Sequence, residues 1–347
     1  MLENSPQPPT KNRHARREPI NVQNVLEEKS MIARLFHPPH FPVRIQERTF
    51  SPREVADALG LGESTLKRWI DKGRLQSLRT AGGHRRVQFR EIVQFVRNEQ
   101  LEVLKPEALG LTEALGGSLP GREVPLDVER LYNMLTSGEA QQARSLLVAA
   151  YLRGASLAAL CDTPVREALK RIGMLWNDAS AEDRARNEAR GIFIEHQATD
   201  LVAQAFGQIR SLMPDAPEDA PVALGGAPAN DPYLLPSQMA AAVLADLGYH
   251  VINLGADTPA RSLVEAARMH EPKLVWLSIS TPVRSADLKA EVRALLAALP
   301  EETSVIAGGR SRDGLHELEA ESPRFYVRNS MTDLAEVART LLEPEEL

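Results

Sequence analysis

The chain has 347 residues, one cysteine, low aromatic content and a net charge of −6. That length allows two or three domains, each with its own core. A single cysteine, Cys161, excludes an internal disulfide framework and a cysteine-rich metal site. No apolar run approaches the roughly eighteen residues of a membrane span, and the basic start "MLENSPQPPTKNRHARREP" has no apolar core of the signal-peptide kind. A soluble cytoplasmic protein with no membrane partner is expected.

The overall charge conceals an asymmetry. Residues 1–100 hold 18 Lys/Arg against 11 Asp/Glu, and the remainder holds 23 against 36. A basic head on an acidic body suggests a polyanion partner for the head.

Residues 1–43, rich in Pro, Asn, Gln and charge without periodicity, are expected to be disordered. In residues 44–98, Ser51-Pro52-Arg53-Glu54 has capping-box form, with proline at the first helical position. Val55, Ala56 and Leu59 then form one apolar face, Gly60-Leu61-Gly62 turns the chain, and Ser64 is the expected cap of a second helix carrying Thr65, Lys67, Arg68 and Trp69. That is helix-turn-helix spacing, with the second helix suited to the major groove of double-stranded DNA. "RLQSLRTAGGHRRVQF" follows as a β-hairpin whose tip is flanked by Arg79, His84, Arg85 and Arg86, a basic wing suited to phosphate contacts.

Residues 99–124 contain Gly, Pro and few large apolar groups, which suits a linker. From 125 to 213, apolar residues recur three and four apart with Ser-Gly and Arg-Gly breaks, which predicts a four-helix bundle. From 219 to 347, the strand patterns "PVALGG", "HVINLG", "KLVWLSIS", "TSVIAGG" and "RFYVRN" alternate with amphipathic segments. Such alternation predicts a doubly wound α/β domain with a parallel sheet. The fold class is therefore multidomain: a mainly α winged helix-turn-helix, a four-helix bundle and a Rossmann-like α/β domain.

The carboxyl edge of a parallel sheet is where ligands bind. Gly225-Gly226, Ser278-Ile279-Ser280 and Gly308-Gly309-Arg310 end three of the strands, and the loop "APANDPYLLPSQM" follows the first. Plain strand-to-helix turning explains glycine and serine there equally well. No triad, phosphate loop or metal-ligand cluster stands out, so an enzyme is not expected, and Asp257 in "LGADTP" reads as structural.

"SPREVADALGLGESTLKRWIDKGRLQSLRTAGGHRRV" resembles the winged-helix domain of the MerR and excisionase-like regulators. The segments "CDTPVREALKRIGMLW", "IEHQATDLV", "MAAAVLADLGYHVINLGADTP", "VWLSIS" and "VIAGGR" resemble the helical and Rossmann-like modules of cobalamin-binding proteins. Together the arrangement is similar to the light-responsive, adenosylcobalamin-dependent repressors of carotenoid genes. The resemblance implies DNA contacts from Thr65, Lys67, Arg68, Trp69 and the wing from Arg79 to Arg86. For a cobalamin pocket it implies Trp176, Glu195 and His196 above the corrin, with Ser278, Ser280, Gly308 and Gly309 around the nucleotide tail. An insertion, "NDASAEDRA", lengthens the stretch between Trp176 and Glu195.

The lower face departs from the family. Its loop runs Asp/Glu-x-His-x-x-Gly, whereas here Asp231 is kept, the histidine position falls on Tyr233 and the glycine position on Pro236. Imidazole offers a neutral nitrogen at neutral pH, but a phenol, with a pKa near 10, must first lose a proton. No histidine occurs in residues 197–249. The C-terminal module is thus expected to bind cobalamin without protein ligation, to have lost it in favour of protein contacts, or to hold another small molecule. A transcriptional regulator is the leading expectation, with operator DNA as partner, a homo-oligomer as the binding form and an antirepressor protein or small molecule as possible effector. A corrinoid-dependent enzyme module and a cofactor-free interaction scaffold are the alternatives.

Overall fold

In the computed structural model, residues 48–111, 126–175 and 184–343 are described, apart from 283 and 313. The tail expected at residues 1–43 lies outside them, as does Trp176.

The head begins with β1 (Thr49–Phe50) and α1 (Pro52–Ala58). The capping box forms as its spacing predicts: the Glu54 amide donates to Ser51 Oγ at 3.2 Å, and the Ser51 amide donates to Glu54 Oε2 at 2.7 Å. α2 (Glu63–Asp71) starts two residues earlier than expected, with Gly62 as N-cap and no side-chain cap, so Ser64 lies inside the first turn. Gly62 is extended there, and Glu63 supplies the negative charge that favours a helix start. β2 (Leu78–Arg79) and β3 (Arg85–Gln88) pair antiparallel as the wing, and β1 completes a small sheet on the other side of β3. α3 (Phe89–Asn98) closes the head, burying Phe89, Ile92, Val93, Phe95 and Val96.

The linker expected at 99–124 is corrected over 99–111. Val103, Leu109 and Leu111 are buried, the Leu104 and Lys105 amides donate to the Ala58 carbonyl, and Pro106–Leu109 makes a 3-10 turn. Few apolar side chains suffice when those present join the core of the head and bundle. Residues 112–125 lie outside the described range.

The bundle comprises α4 (Val128–Ser137), α5 (Ala140–Leu152), a third helical stretch and α8 (Arg184–Leu212). The third stretch runs through α6 (Leu157–Leu160), a π turn at Cys161–Val165 and α7 (Arg166–Met174). Pro164 sits inside the π turn, where the wider loop accommodates its missing N–H. Asp162 in that turn accepts from the Met331 and Thr332 amides at 2.7 and 2.9 Å, tying the bundle to the last helix of the chain.

Five parallel strands follow, all at the segments the sequence predicts: β4 (Val222–Gly226), β5 (His250–Asn253), β6 (Leu274–Ser278), β7 (Ser304–Gly308) and β8 (Phe325–Val327), in the order β5-β4-β6-β7-β8. They alternate with α9 (Leu234–Asp246), α10 (Ala260–His270), α11 (Ser285–Ala298), α12 (His316–Glu321) and α13 (Met331–Leu342). One apolar core runs from the head through the bundle to α9 and α13, while a second packs α10, α11 and α12 on the opposite side of the sheet. The described residues accordingly belong to one compact unit. The chain leaves β4 for β5 on one side and reaches β6 on the other, so the topological switch point lies at the carboxyl ends of β4 and β6.

Candidate functional site

On the head, α2 and the wing carry the cations. Lys67, Arg68, Arg79 and His84 are exposed and Thr65 half-buried. Lys67 pairs with Glu63 one turn back at 2.7 Å. Arg85 pairs with Asp71 at 2.5 Å and Arg86 with Glu54 at 3.4 Å. Among the described residues, Arg68, Lys72 and Arg79 have no ion pair. The groups most available to a polyanion are therefore Arg68, Lys72, Arg79 and His84, and the Arg85–Arg86 pair doubles as a brace between the wing and the two helices. Trp69 is half-buried: its ring lies 5.4 Å from that of Phe95 and under the Arg74 guanidinium at 5.0 Å. That packing ties α2 to α3.

The second candidate region is the sheet edge. Asp231 is buried, and its carboxylate accepts three backbone N–H groups, from Tyr233 at 3.1 Å, Ser280 at 2.5 Å and Thr281 at 2.9 Å. One side chain thereby bridges the loops after β4 and β6 across the switch point. Three charge-assisted bonds satisfy a carboxylate well enough to keep it buried. Asp257, in the left-handed region, accepts from the Asn230 amide at 2.7 Å and donates its own amide to the Asp231 carbonyl, a turn-forming role.

Tyr233 is the N-cap of α9, with its phenol half in solvent. The Arg310 guanidinium lies 4.5 Å from the Tyr233 ring centroid, held there by a 2.9 Å bond from its Nε to the Ser280 carbonyl, which also accepts from Ser311 Oγ. Ser278 and Ser280 are buried. Gly309, at φ +104°, passes so close to β6 that an added Cβ would stand 2.2 Å from the Ile279 carbonyl oxygen, which accounts for its glycine.

Beneath this edge the space is full. Trp276 is almost wholly buried, and its Nε1 donates to Ser237 Oγ at 3.1 Å; Ser237 in turn donates to Asn253 Oδ1 at 2.9 Å, which also accepts from the Gly255 amide. Gly225 makes room for that ring: a Cβ there would approach its Cδ2 to 2.4 Å. The polar chain is closed on itself, as buried polar groups require.

The bundle residues do not join this cluster through any observed bond. Glu195 is half-buried and His196 exposed on α8, near the solvent-facing Ile192 and Phe193. Cys161 is buried, and burial pushes its thiol well above the usual range, which removes it as a nucleophile. A cavity of about 640 Å³ opens in the bundle between α4 and α8, lined by Tyr132, Thr136, Leu175, Arg190 and Ile194, and neither Glu195 nor His196 lines it. Sequence reading missed Trp276 and the part played by Arg310; an aromatic inside an apolar strand run and an arginine after Gly-Gly carry no local signal of their partners.

A helix-turn-helix domain model matches residues 49–100. The HTH-type transcriptional repressor CarA of Myxococcus xanthus is 30% identical over 237 residues, covering 66% of this chain and 76% of CarA. The chain belongs to the CarA family. The matched residues span α1, α2, the wing and α3, and the α/β module carries Tyr233 in the loop following β4. Among solved structures, the monomethylamine corrinoid protein of Methanosarcina barkeri is similar with a TM-score of 0.44 and 15% identity, over 62% of this chain and 97% of that one. A cobalamin-binding protein from Desulfitobacterium hafniense is similar with a TM-score of 0.31 and 14% identity, over 63% and 100%. Likenesses this loose assign no ligand to the CarA-family chain.

Proposed function

We propose that this CarA-family protein is a transcriptional repressor that binds double-stranded operator DNA as a homo-oligomer. The head spans residues 44–98 with its packed extension to 111, the bundle 125–213 and the α/β module 219–347. The observation that carries the reading is a helix-turn-helix whose second helix and wing present Arg68, Lys72, Arg79 and His84 with no neutralising acid among the described residues. Thr65, Lys67 and Arg68 enter the major groove, while Arg79 and the wing take phosphates. One winged helix covers a short half-site, so useful affinity comes from two or more copies.

The cofactor implied by the family is adenosylcobalamin, and the residues here do not fit a cobalt bond from below. A phenol stands at the ligand position, its ring is covered by Arg310, and Trp276 fills the sheet beneath. The C-terminal module therefore works through protein contacts, between copies or with an antirepressor, for which the exposed apolar Ile192, Phe193, Tyr233 and Leu234 are suited. No helix among the described residues is long and apolar enough to cross a membrane, and the helix-turn-helix match supports a regulator that acts on DNA.

Titrating fluorescent genomic fragments at about 50 and about 200 mM salt tests the reading, with affinity expected to fall by one to several decades across that range. Absence of binding at the lower salt would overturn it. Incubation with adenosylcobalamin followed by desalting is expected to leave no corrin absorbance on the protein, and retained colour would overturn the cofactor-free reading.

A further inference from the structure

α9 has a different functional region at each end. Its N-cap is Tyr233, in the loop pinned by Asp231 at the switch point. Its last residue, Asp246, meets the DNA-binding head. Thirteen residues at 1.5 Å each separate these ends by about 20 Å of stiff helix.

The far end is a junction of all three modules. Arg97 of α3, in the head, donates to the Tyr151 carbonyl of the bundle at 2.5 Å, and its guanidinium lies 3.5 Å from the centroid of the Tyr151 ring. The same guanidinium reaches both Asp246 oxygens at 3.4 Å, and the Tyr151 hydroxyl donates to Asp246 Oδ1 at 3.0 Å. The side chains of Arg97 and Asp246 are 15% and 22% exposed, and Tyr151 is buried, so the charges face each other out of bulk water, where they are screened least. Two turns earlier on α3, Arg90 pairs with Asp215, just beyond the bundle. On α3 again, Phe95 packs against Trp69 of the recognition helix. A continuous run of rigid contacts thus leads from the Asp231 loop along α9, through Asp246, Tyr151 and Arg97, to Phe95 and Trp69.

We infer that the Arg97–Tyr151–Asp246 junction is the coupling point through which the state of the Asp231–Tyr233 loop sets the position of the DNA-binding head. Arg97 is a positioning residue: it touches no DNA and acts through α3 on α2. α9 carries a change at that loop to the head as one stiff body. The affinity arm of the test rests on the DNA-binding reading, whereas the distance arm does not.

A duplex selected by the wild-type protein from a random pool serves as probe. Asp231→Asn, which weakens the loop clasp, is expected to change the dissociation constant about fivefold in the wild-type background. In an Arg97→Gln background the same change is expected to have less than about half that effect, so the double-mutant cycle does not close additively. Additive effects would overturn the inference. Because Arg97→Gln also leaves Asp246 short of a cation, Tyr151→Phe, which keeps the ring and removes only the hydroxyl bond, is run in parallel with the same expectation. The second arm places nitroxide labels through Gln76→Cys in the head and Glu291→Cys on α11. A narrow distance distribution is expected to broaden in both junction variants without DNA present, and an unchanged distribution would overturn the inference. Loss of all DNA binding by the wild-type protein would count against the proposed function alone and leave the distance arm to decide.

Discussion

The DNA-facing surface of the head and the carboxyl edge of the sheet are assembled in opposite ways. The head starts its helices with neighbours in sequence, Ser51 with Glu54 and Lys67 with Glu63, three or four residues apart, and braces them with longer pairs such as Arg86 with Glu54. Its outermost cations, Arg68, Lys72 and Arg79, are left without an acid among the described residues. At the sheet edge, Asp231 reaches 49 and 50 residues ahead to Ser280 and Thr281, Trp276 reaches 39 back to Ser237, and Arg310 reaches 30 back to Ser280. There the Asp231 carboxylate and the Trp276 indole find partners on distant elements, while the Thr281 hydroxyl is buried without one among the described residues. A surface that leaves charge unpaired is arranged for a partner of opposite charge, while a crevice closed by its own hydrogen bonds serves as scaffold.

The sharpest way to break that contrast is to empty the sheet. Trp276→Ala is expected to lower unfolding free energy by about 3–5 kcal/mol, since the ring is buried against Gly225 and hydrogen-bonded to Ser237. Urea unfolding followed by circular dichroism measures it. A loss below about 1 kcal/mol would mean that the floor of the crevice is loosely packed after all.

The head offers the next largest effect. Arg68→Glu combined with Arg79→Glu is expected to weaken DNA binding about a hundredfold at low salt, close to 2.7 kcal/mol. Arg85→Ala with Arg86→Ala, whose guanidiniums already pair with Asp71 and Glu54, is expected to weaken it less than tenfold. Fluorescence anisotropy orders the two pairs, and the reverse order would show that the wing's paired arginines exchange partners on the DNA.

The same contrast explains what could be read from the sequence. Capping residues, turn glycines and helical spacing act within a few positions, so the head, the bundle and all five strands of the sheet were legible. Ser64 misled because a serine two residues past Gly62 satisfies the capping preference equally well, and only the extended conformation at Gly62 selects between them. The 99–111 segment misled because its backbone is held by the Ala58 carbonyl at the end of α1, some forty-six residues back, a partner no local pattern reveals. At the sheet edge, Tyr233 and the small residues at strand ends were visible, but that Asp231 clasps Ser280, that Arg310 covers Tyr233 and that Trp276 fills the floor follow from strand order. Strand order is set by packing across the whole domain, and no local pattern encodes it.

The smallest expected effect tests whether the head is as local as it looks. Ser51→Ala removes the acceptor for the Glu54 amide and is expected to cost about 1 kcal/mol. The Ser51 backbone amide, with the Ser51 hydroxyl and Arg86 adding to it, holds the Glu54 carboxyl below its ordinary value. Because that value is lowered in the folded state, its contribution is fully present above the unfolded carboxylate pKa of roughly 4.3 and disappears as pH falls through the folded value. Acid titration of Glu54→Gln against the parent should therefore show the two stabilities converging below that window and separating above it. Hydrogen exchange at neutral pH localises the cost of Ser51→Ala: faster exchange is expected in α1, while the β4–β6 amides keep their protection. If protection fell at Ser280 and Thr281 as well, the head and the sheet edge would open together, and the division between a locally built surface and a long-range scaffold would not hold.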